Sequence, residues 1–160
     1  NTTRLVDEIY AELASELGIA QDQVPQVDLL TARDRYLAYF DATQKGLVTA
    51  CHDCSDGGLG VALAEMCLGG RIGAEIDLDA VPQCGCASAL EVLYSESASR
   101  LVVSVAPGKA KDFEARFAGQ HCARLGVVGG ENFTVRSGGF VLMTAPVEAL
   151  AESFKAPLNW

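Results

Sequence analysis

Pairs of adjacent glycines stand at 57–58, 69–70, 129–130 and 138–139, and the segments they separate are short. Glycine accepts positive φ and close backbone approach, so each pair marks a place where the chain reverses or changes element. The first pair follows residues 47–51, an apolar run that is β-branched in its middle and reads as a buried strand. A helix from 59 to 68 comes next and is closed by Gly69-Gly70. The last pair, as Ser137-Gly138-Gly139, separates the apolar runs 133–136 and 140–144 and predicts a hairpin.

The remaining segments fill in around this punctuation. In residues 4–17, Leu5, Ile9, Leu13 and Leu17 recur every four positions, which predicts a helix with Gly18 as its left-handed cap. A polar loop through Pro25 leads to a second helix. There Thr31 and Asp34 form a T-x-x-D capping pattern, Leu30, Leu37 and Phe40 make an apolar stripe, and Gly46 ends the helix. Ile72, Ala74, Ile76 and Leu78 alternate with Gly73, Glu75 and Asp77, so this stretch reads as a strand with one face buried. Residues 86–93 read as a helix and 101–105 as a strand. A helix marked by Ala110, Phe113 and Phe117 and a strand at 125–128 then complete a β-α-β unit. Pro146 opens a final helix with Val147, Leu150, Ala151 and Phe154 on one face. The pattern is that of an α+β (α/β) domain, with a mixed, largely antiparallel sheet covered by helices. Residues 1–23 form a helical lead-in from a preceding domain, and 24–160 form the domain itself.

A chain of 160 residues suits one domain and buries enough surface to be stable without disulfides or metal. Twelve basic against twenty-one acidic residues give a net charge of −9, which argues against a nucleic-acid or anionic-membrane surface. A local phosphate site built from backbone N–H groups stays compatible with that charge. No apolar run approaches the roughly 20 residues of a membrane span. The chain begins at Asn1 without a charged-then-apolar leader, and it reads as a piece of a longer, cytoplasmic protein. Its six cysteines, at 51, 54, 67, 84, 86 and 122, are expected to be reduced thiols.

Two segments can carry chemistry. Residues 47–59 place His52 and Asp53 at a strand end, a turn at Ser55-Asp56-Gly57-Gly58, and then a helix start. Free N–H groups and the positive dipole end favour an anion such as phosphate at that point. Asp53 is placed to hold magnesium against the same phosphates. The G-x-x-x-x-G-K-[ST] pattern of a Walker loop is absent. The same residues also describe an ordinary helix cap, with Ser55 or Asp56 satisfying N–H groups, and His52 fits a hydrogen-bonded structural role beside the turn. The second segment is Tyr94-Ser95-Glu96-Ser97-Ala98-Ser99-Arg100, leading into the strand at 101–105. Its hydroxyls and Glu96 can hydrogen-bond a polar substrate, and Arg100 can pair with a phosphate or with Glu96. A solvated loop with a local ion pair is the plainer alternative.

Together these segments resemble the later half of the formylglycinamidine ribonucleotide synthases. His52-Asp53-Cys54-Ser55-Asp56-Gly57-Gly58-Leu59 with Val61-Ala62-Leu63-Ala64-Glu65 is similar to one signature, and Tyr94-Ser95-Glu96-Ser97 with Arg100 to a second. Leu125-Gly126-Val127-Val128, the glycine hairpin and the last helix fit the family's terminal domain. The likeness runs from about Val24 to the end. The resemblance implies a fold like the carboxy-terminal domain of aminoimidazole ribonucleotide synthetase. It implies a place in an ATP-dependent ligase that converts formylglycinamide ribonucleotide to its amidine in purine biosynthesis. By the same resemblance Asp53 is a magnesium ligand, Ser55, Asp56, Gly57 and Gly58 contact ATP or ADP, and Ser95, Glu96, Ser97 and Arg100 face substrate. The implied partners are the remaining domains of the synthase and a glutaminase subunit or domain that supplies ammonia. The catalytic histidine of the family lies in another domain, so His52 inherits no such role and the fragment alone is expected to be inactive. Residues 5–8 depart from the leucine-glycine-glycine-serine stretch that the family shows there. By the same resemblance this half of the synthase holds a structural nucleotide, so these residues are expected to bind it rather than turn it over.

Three other readings belong to different classes. Cys51-x-x-Cys54 and Cys84-x-Cys86, with His52 nearby, can be read as a zinc or iron–sulfur module, although C-x-C is a loose spacing for zinc. The β-α-β and hairpin pattern also fits a module that associates with a second copy. Thiamine monophosphate kinase and the hydrogenase maturation factor share the aspartate-rich glycine turn, but they lack a clear equivalent of the 95–97 loop with Arg100.

Overall fold

The computed structural model describes residues 27–83 and 85–158, so the helix expected at 4–17, its Gly18 cap and the boundary at 23 lie outside the described residues. Helix α1 (Leu29–Gln44) starts from Asp28, whose carboxylate accepts from the Leu30 and Thr31 N–H groups at 3.0 and 3.3 Å. The Thr31 hydroxyl donates to the other carboxylate oxygen at 2.6 Å. The expected cap at Thr31 and Asp34 is thus corrected. An aspartate one residue before the helix satisfies two orphan donors and places a negative charge at the positive dipole end, and Thr31 sits inside the first turn as its donor. The expected stripe is corrected as well. Leu30, Leu37 and Phe40 are 70%, 54% and 61% exposed, and the buried positions are Ala32 and Ala42. Small alanines allow the close approach that bulky side chains on that face would prevent.

Strand β1 (Val48–Asp53) pairs antiparallel with β3 (Leu101–Val105) in a two-stranded sheet, with Asp53 opposite Leu101. Between them in sequence come α2 (Gly58–Gly70), β2 (Ala74–Asp77) and the short helix α3 (Ala89–Tyr94), which Ser88 caps through the Glu91 N–H. After β3 follow α4 (Ala110–Arg116), β4 (Gly126–Val128), β5 (Asn132–Ser137), β6 (Phe140–Pro146) and α5 (Val147–Lys155). The second sheet has four strands in the order β4-β2-β5-β6. β2 is parallel to β5 and antiparallel to β4, and β5 and β6 form an antiparallel hairpin. Mixed pairing with mostly antiparallel ladders, covered by helices, agrees with the expected class. The β-α-β unit does not form, because β3 and β4 lie in different sheets. Each found its partner far away in sequence, β3 on β1 and β4 on β2.

Alternation in β2 buries Ala74 and Ile76 and exposes Glu75 and Asp77, although Ile72 of the same pattern lies outside the strand and is exposed. At the hairpin tip, Gly138 and Gly139 have φ of 57° and 80°, the positive pair that a two-residue turn needs to match strand twist. Two cores result. The larger joins Leu59, Ala62, Leu63 and Cys67 of α2 with Ala74, Ile76, Phe133, Val135 and Val147 of the four-stranded sheet and α5. The smaller joins Ala42, Leu47, Phe113 and Phe117, with Val103 and Val105 against it. Val102, which precedes Val103 on β3, packs toward the larger core instead, as period-two alternation requires. Among the described residues no helix is long and apolar enough to cross a membrane.

Candidate functional site

The turn between β1 and α2 is shaped by its own glycines and pinned from a distance. Gly57 and Gly58 have φ of 76° and 62°, and the Gly58 N–H donates to the Ser55 carbonyl at 2.9 Å. A side chain at Gly58 would meet the backbone carbonyls of Ser95 and Leu93 at 2.6 and 2.8 Å. The turn therefore lies directly against the end of α3 and the loop that follows it. The Gly57 N–H donates to the Glu96 carboxylate at 2.9 Å, and the Cys54 N–H donates to the Arg100 carbonyl at 3.0 Å. Two segments some forty residues apart are thus one structure.

Glu96 brings a negative charge to the N-terminal end of a 13-residue helix whose Gly57 cap offers no side chain. That placement satisfies a free N–H and complements the dipole. It also means that the anion attracted to this helix end is, in part, already supplied by the protein. Ser55 and Asp56 remain exposed at the outer edge of the turn, as does Ser97 on the facing loop, while Ser95 is half-buried. Arg100 turns inward. Its guanidinium donates to the Ser97 carbonyl at 3.0 Å and to the Ser95 carbonyl, so it folds the loop around itself and makes no pair with Glu96.

Asp53 stands at the end of β1 with its side chain 69% exposed, and His52 Nδ1 lies 3.6 Å from its carboxylate. His52 reaches the opposite way as well, to Glu65 on α2 at 3.1 Å. Magnesium takes one or two protein carboxylates and completes its shell with water and phosphate oxygens. An exposed carboxylate two residues from the exposed Ser55 is compatible with that need. Among the described residues no three His, Cys, Asp or Glu side chains converge as a metal-binding group, so a protein-only cage is not formed there.

The cysteine reading finds little support in the described thiols. Cys54 is buried, and burial pushes its thiol upward against the opposing pull of Arg100. Cys51 lies beside the Tyr39 hydroxyl, and that contact together with burial pushes the tyrosine up. Cys84 falls outside the described residues. An open groove of about 410 Å³ lies beyond His52, between α2 and α5, and is lined by Glu65, Leu68, Arg71, Ala151 and Phe154. Of the turn and loop signatures, only His52 and Glu65 border it.

Two contributors escaped the sequence reading. Arg35 of α1 donates to the Ser99 carbonyl and hydroxyl at 2.6 and 2.8 Å, and holds Ser99 at a φ of 60°, a conformation non-glycine residues resist. It braces the 95–100 loop from outside. Glu65 falls within the first signature but gave no spacing cue that links it to His52. Side chains from separate elements meet only through the tertiary fold.

The phosphoribosylformylglycinamidine synthase subunit PurL of Synechocystis sp. is 38% identical over 141 residues, which cover 85% of this chain and 18% of that protein. The structure of T. maritima PurL complexed with FGAR matches with a TM-score of 0.72 and 27% identity, covering 80% of this chain and 22% of that one. T. maritima PurL complexed with ATP matches with a TM-score of 0.66 and 28% identity over 74% of this chain and 21% of that one. The chain therefore spans about a fifth of the length of these relatives. The sequence family described as AIR synthase related protein, C-terminal domain, matches residues 8–138, and the chain belongs to that family.

Proposed function

We propose that this chain is a carboxy-terminal-type domain of an ATP-dependent phosphoribosylformylglycinamidine synthase, and that it helps bind a magnesium–nucleotide. The observation that carries the reading is the bond from the Gly57 N–H to Glu96, which joins the two signature segments at one helix end. Likeness to PurL proteins, among them one complexed with ATP, supports the ligand class. In this reading the whole enzyme uses ATP and ammonia to convert formylglycinamide ribonucleotide to formylglycinamidine ribonucleotide in purine biosynthesis, in the cytoplasm. Its other domains and a glutaminase subunit or domain are the partners. The chain covers about a fifth of its relatives, so the isolated domain is inactive.

Each residue has a part. Asp53 offers an exposed carboxylate to magnesium, and the Ser55 hydroxyl and the backbone of the exposed Asp56 offer hydrogen bonds to ATP or ADP phosphates. Gly57 and Gly58 let that backbone approach the ligand, with Glu96 fixing the turn's orientation. Ser95 and Ser97 present hydroxyls to a polar substrate, and Arg100 shapes their loop through its carbonyls. Magnesium, when bound, neutralises phosphate charge.

The test is synthase turnover in the full-length protein carrying Asp53→Asn or Glu96→Gln, with melting temperature followed in parallel. A fall of 100-fold or more at unchanged stability, about 2.7 kcal/mol of transition-state stabilisation, supports a part in the reaction. Activity that tracks melting temperature assigns the domain a structural nucleotide. No change in either removes the site assignment.

A further inference from the structure

His52 occupies a position that the proposed nucleotide site does not use. Its ring bridges two elements, with Nε2 lying 3.1 Å from a Glu65 carboxylate oxygen on α2 and Nδ1 lying 2.7 Å from the Asp53 carbonyl on β1. The Asp53 carboxylate stands 3.6 Å from the same Nδ1. β1 and α2 are the two arms of the turn at 54–57, so this bridge crosses the turn's base. The turn itself is already held by Glu96 and the Arg100 carbonyl. The His52 and Glu65 side chains are only 30% and 35% exposed, whereas Asp53 is 69% exposed. The bridge is half-buried, and the Asp53 carboxylate beside it is open to a ligand.

We infer that His52 and Glu65 are positioning residues that hold the end of β1, and with it Asp53, at a fixed angle to helix α2. A single carboxylate binds magnesium weakly unless its direction is set beforehand, because ordering it would otherwise be charged against binding. Outer-shell groups that orient a ligating side chain typically contribute 10- to 100-fold in metal affinity or activity. The bridge provides such an outer shell from a neighbouring residue on the strand and from the adjacent helix. The inference rests on the reading of Asp53 as a magnesium contact.

The experiment measures the magnesium concentration that half-saturates ADP binding to the full-length protein at one fixed pH, with the melting temperature of the nucleotide-free protein alongside. Asp53→Asn serves as the reference. His52→Ala and Glu65→Ala are each expected to raise the magnesium requirement about 10-fold or more, with the double variant no worse than the poorer single one. The nucleotide-free melting temperature should move little. If Asp53→Asn raises the requirement while both single variants leave it unchanged, the positioning role is overturned and the Asp53 reading survives. If Asp53→Asn also has no effect, both fall. Should His52→Ala fail to fold, Glu65→Ala removes the acceptor from the other side of the bridge, and an unchanged magnesium requirement in that variant overturns the inference.

Discussion

The two cores of this domain are built to different specifications. Around the four-stranded sheet, twelve of the described residues form one buried cluster, in which Phe133 and Val135 are 1% and 0% exposed. Around the two-stranded sheet, four of the described residues are buried together, and half-buried residues such as Tyr39 and Val48 complete the packing. An isolated two-stranded ladder is marginal in water and depends on what covers it. The smaller core therefore leans on α1 and α4, while the larger is stabilised by its own layers. The turn at 54–57 leaves β1 in the smaller unit and enters α2 in the larger one. The candidate site sits on the seam between the two.

Truncations at the two centres should separate them most. Phe133→Ala is expected to cost about 4 kcal/mol and Phe113→Ala about 3 kcal/mol, since a looser surround collapses more readily into the space. Equal losses in urea unfolding would make the two cores equivalent. Gly58→Ala tests the seam itself. A Cβ there meets two backbone carbonyls, and the φ of 62° adds strain, so roughly 1–3 kcal/mol should be lost. A neutral result would mean that the two signature segments are not locked together.

The smallest expected effect lies at the start of α1. The Thr31 hydroxyl and N–H, with the Leu30 N–H, hold the Asp28 carboxyl below its ordinary value of 3.8. A depressed value in the folded state contributes stability that is present above the ordinary value and lost as pH falls through the folded one. Asp28→Asn should therefore narrow the gap to wild type as unfolding is followed from pH 6 down to pH 3. A gap that stays constant across that range would show that the cap acts by shape alone.

What the sequence disclosed divides along the same line. The glycine hairpin and the strand-turn-helix at 53–58 were legible because glycine pairs and short apolar runs act locally. The α1 stripe misled, because periodicity names an apolar face without saying what covers it, and here Leu30, Leu37 and Phe40 face outward. The β-α-β reading failed for a related reason. Sequence shows that 101–105 and 125–128 are strands, but their partners are β1 and β2, and pairing over such distances leaves no local mark. At the site, residue types could be read but not their connections. Spacing alone does not show Glu96 capping Gly57, Arg100 turning inward, or Arg35 reaching Ser99.

The seam has a thermodynamic meaning. A ligand that grips residues on both arms of the turn binds best to one placement of the two layers, and so it stabilises that placement. Linkage makes the relation reciprocal: whatever shifts the smaller layer against the larger changes the ligand's affinity by the same factor. The exposed outer face of α1, on the weaker layer, is thereby connected to the turn without touching it.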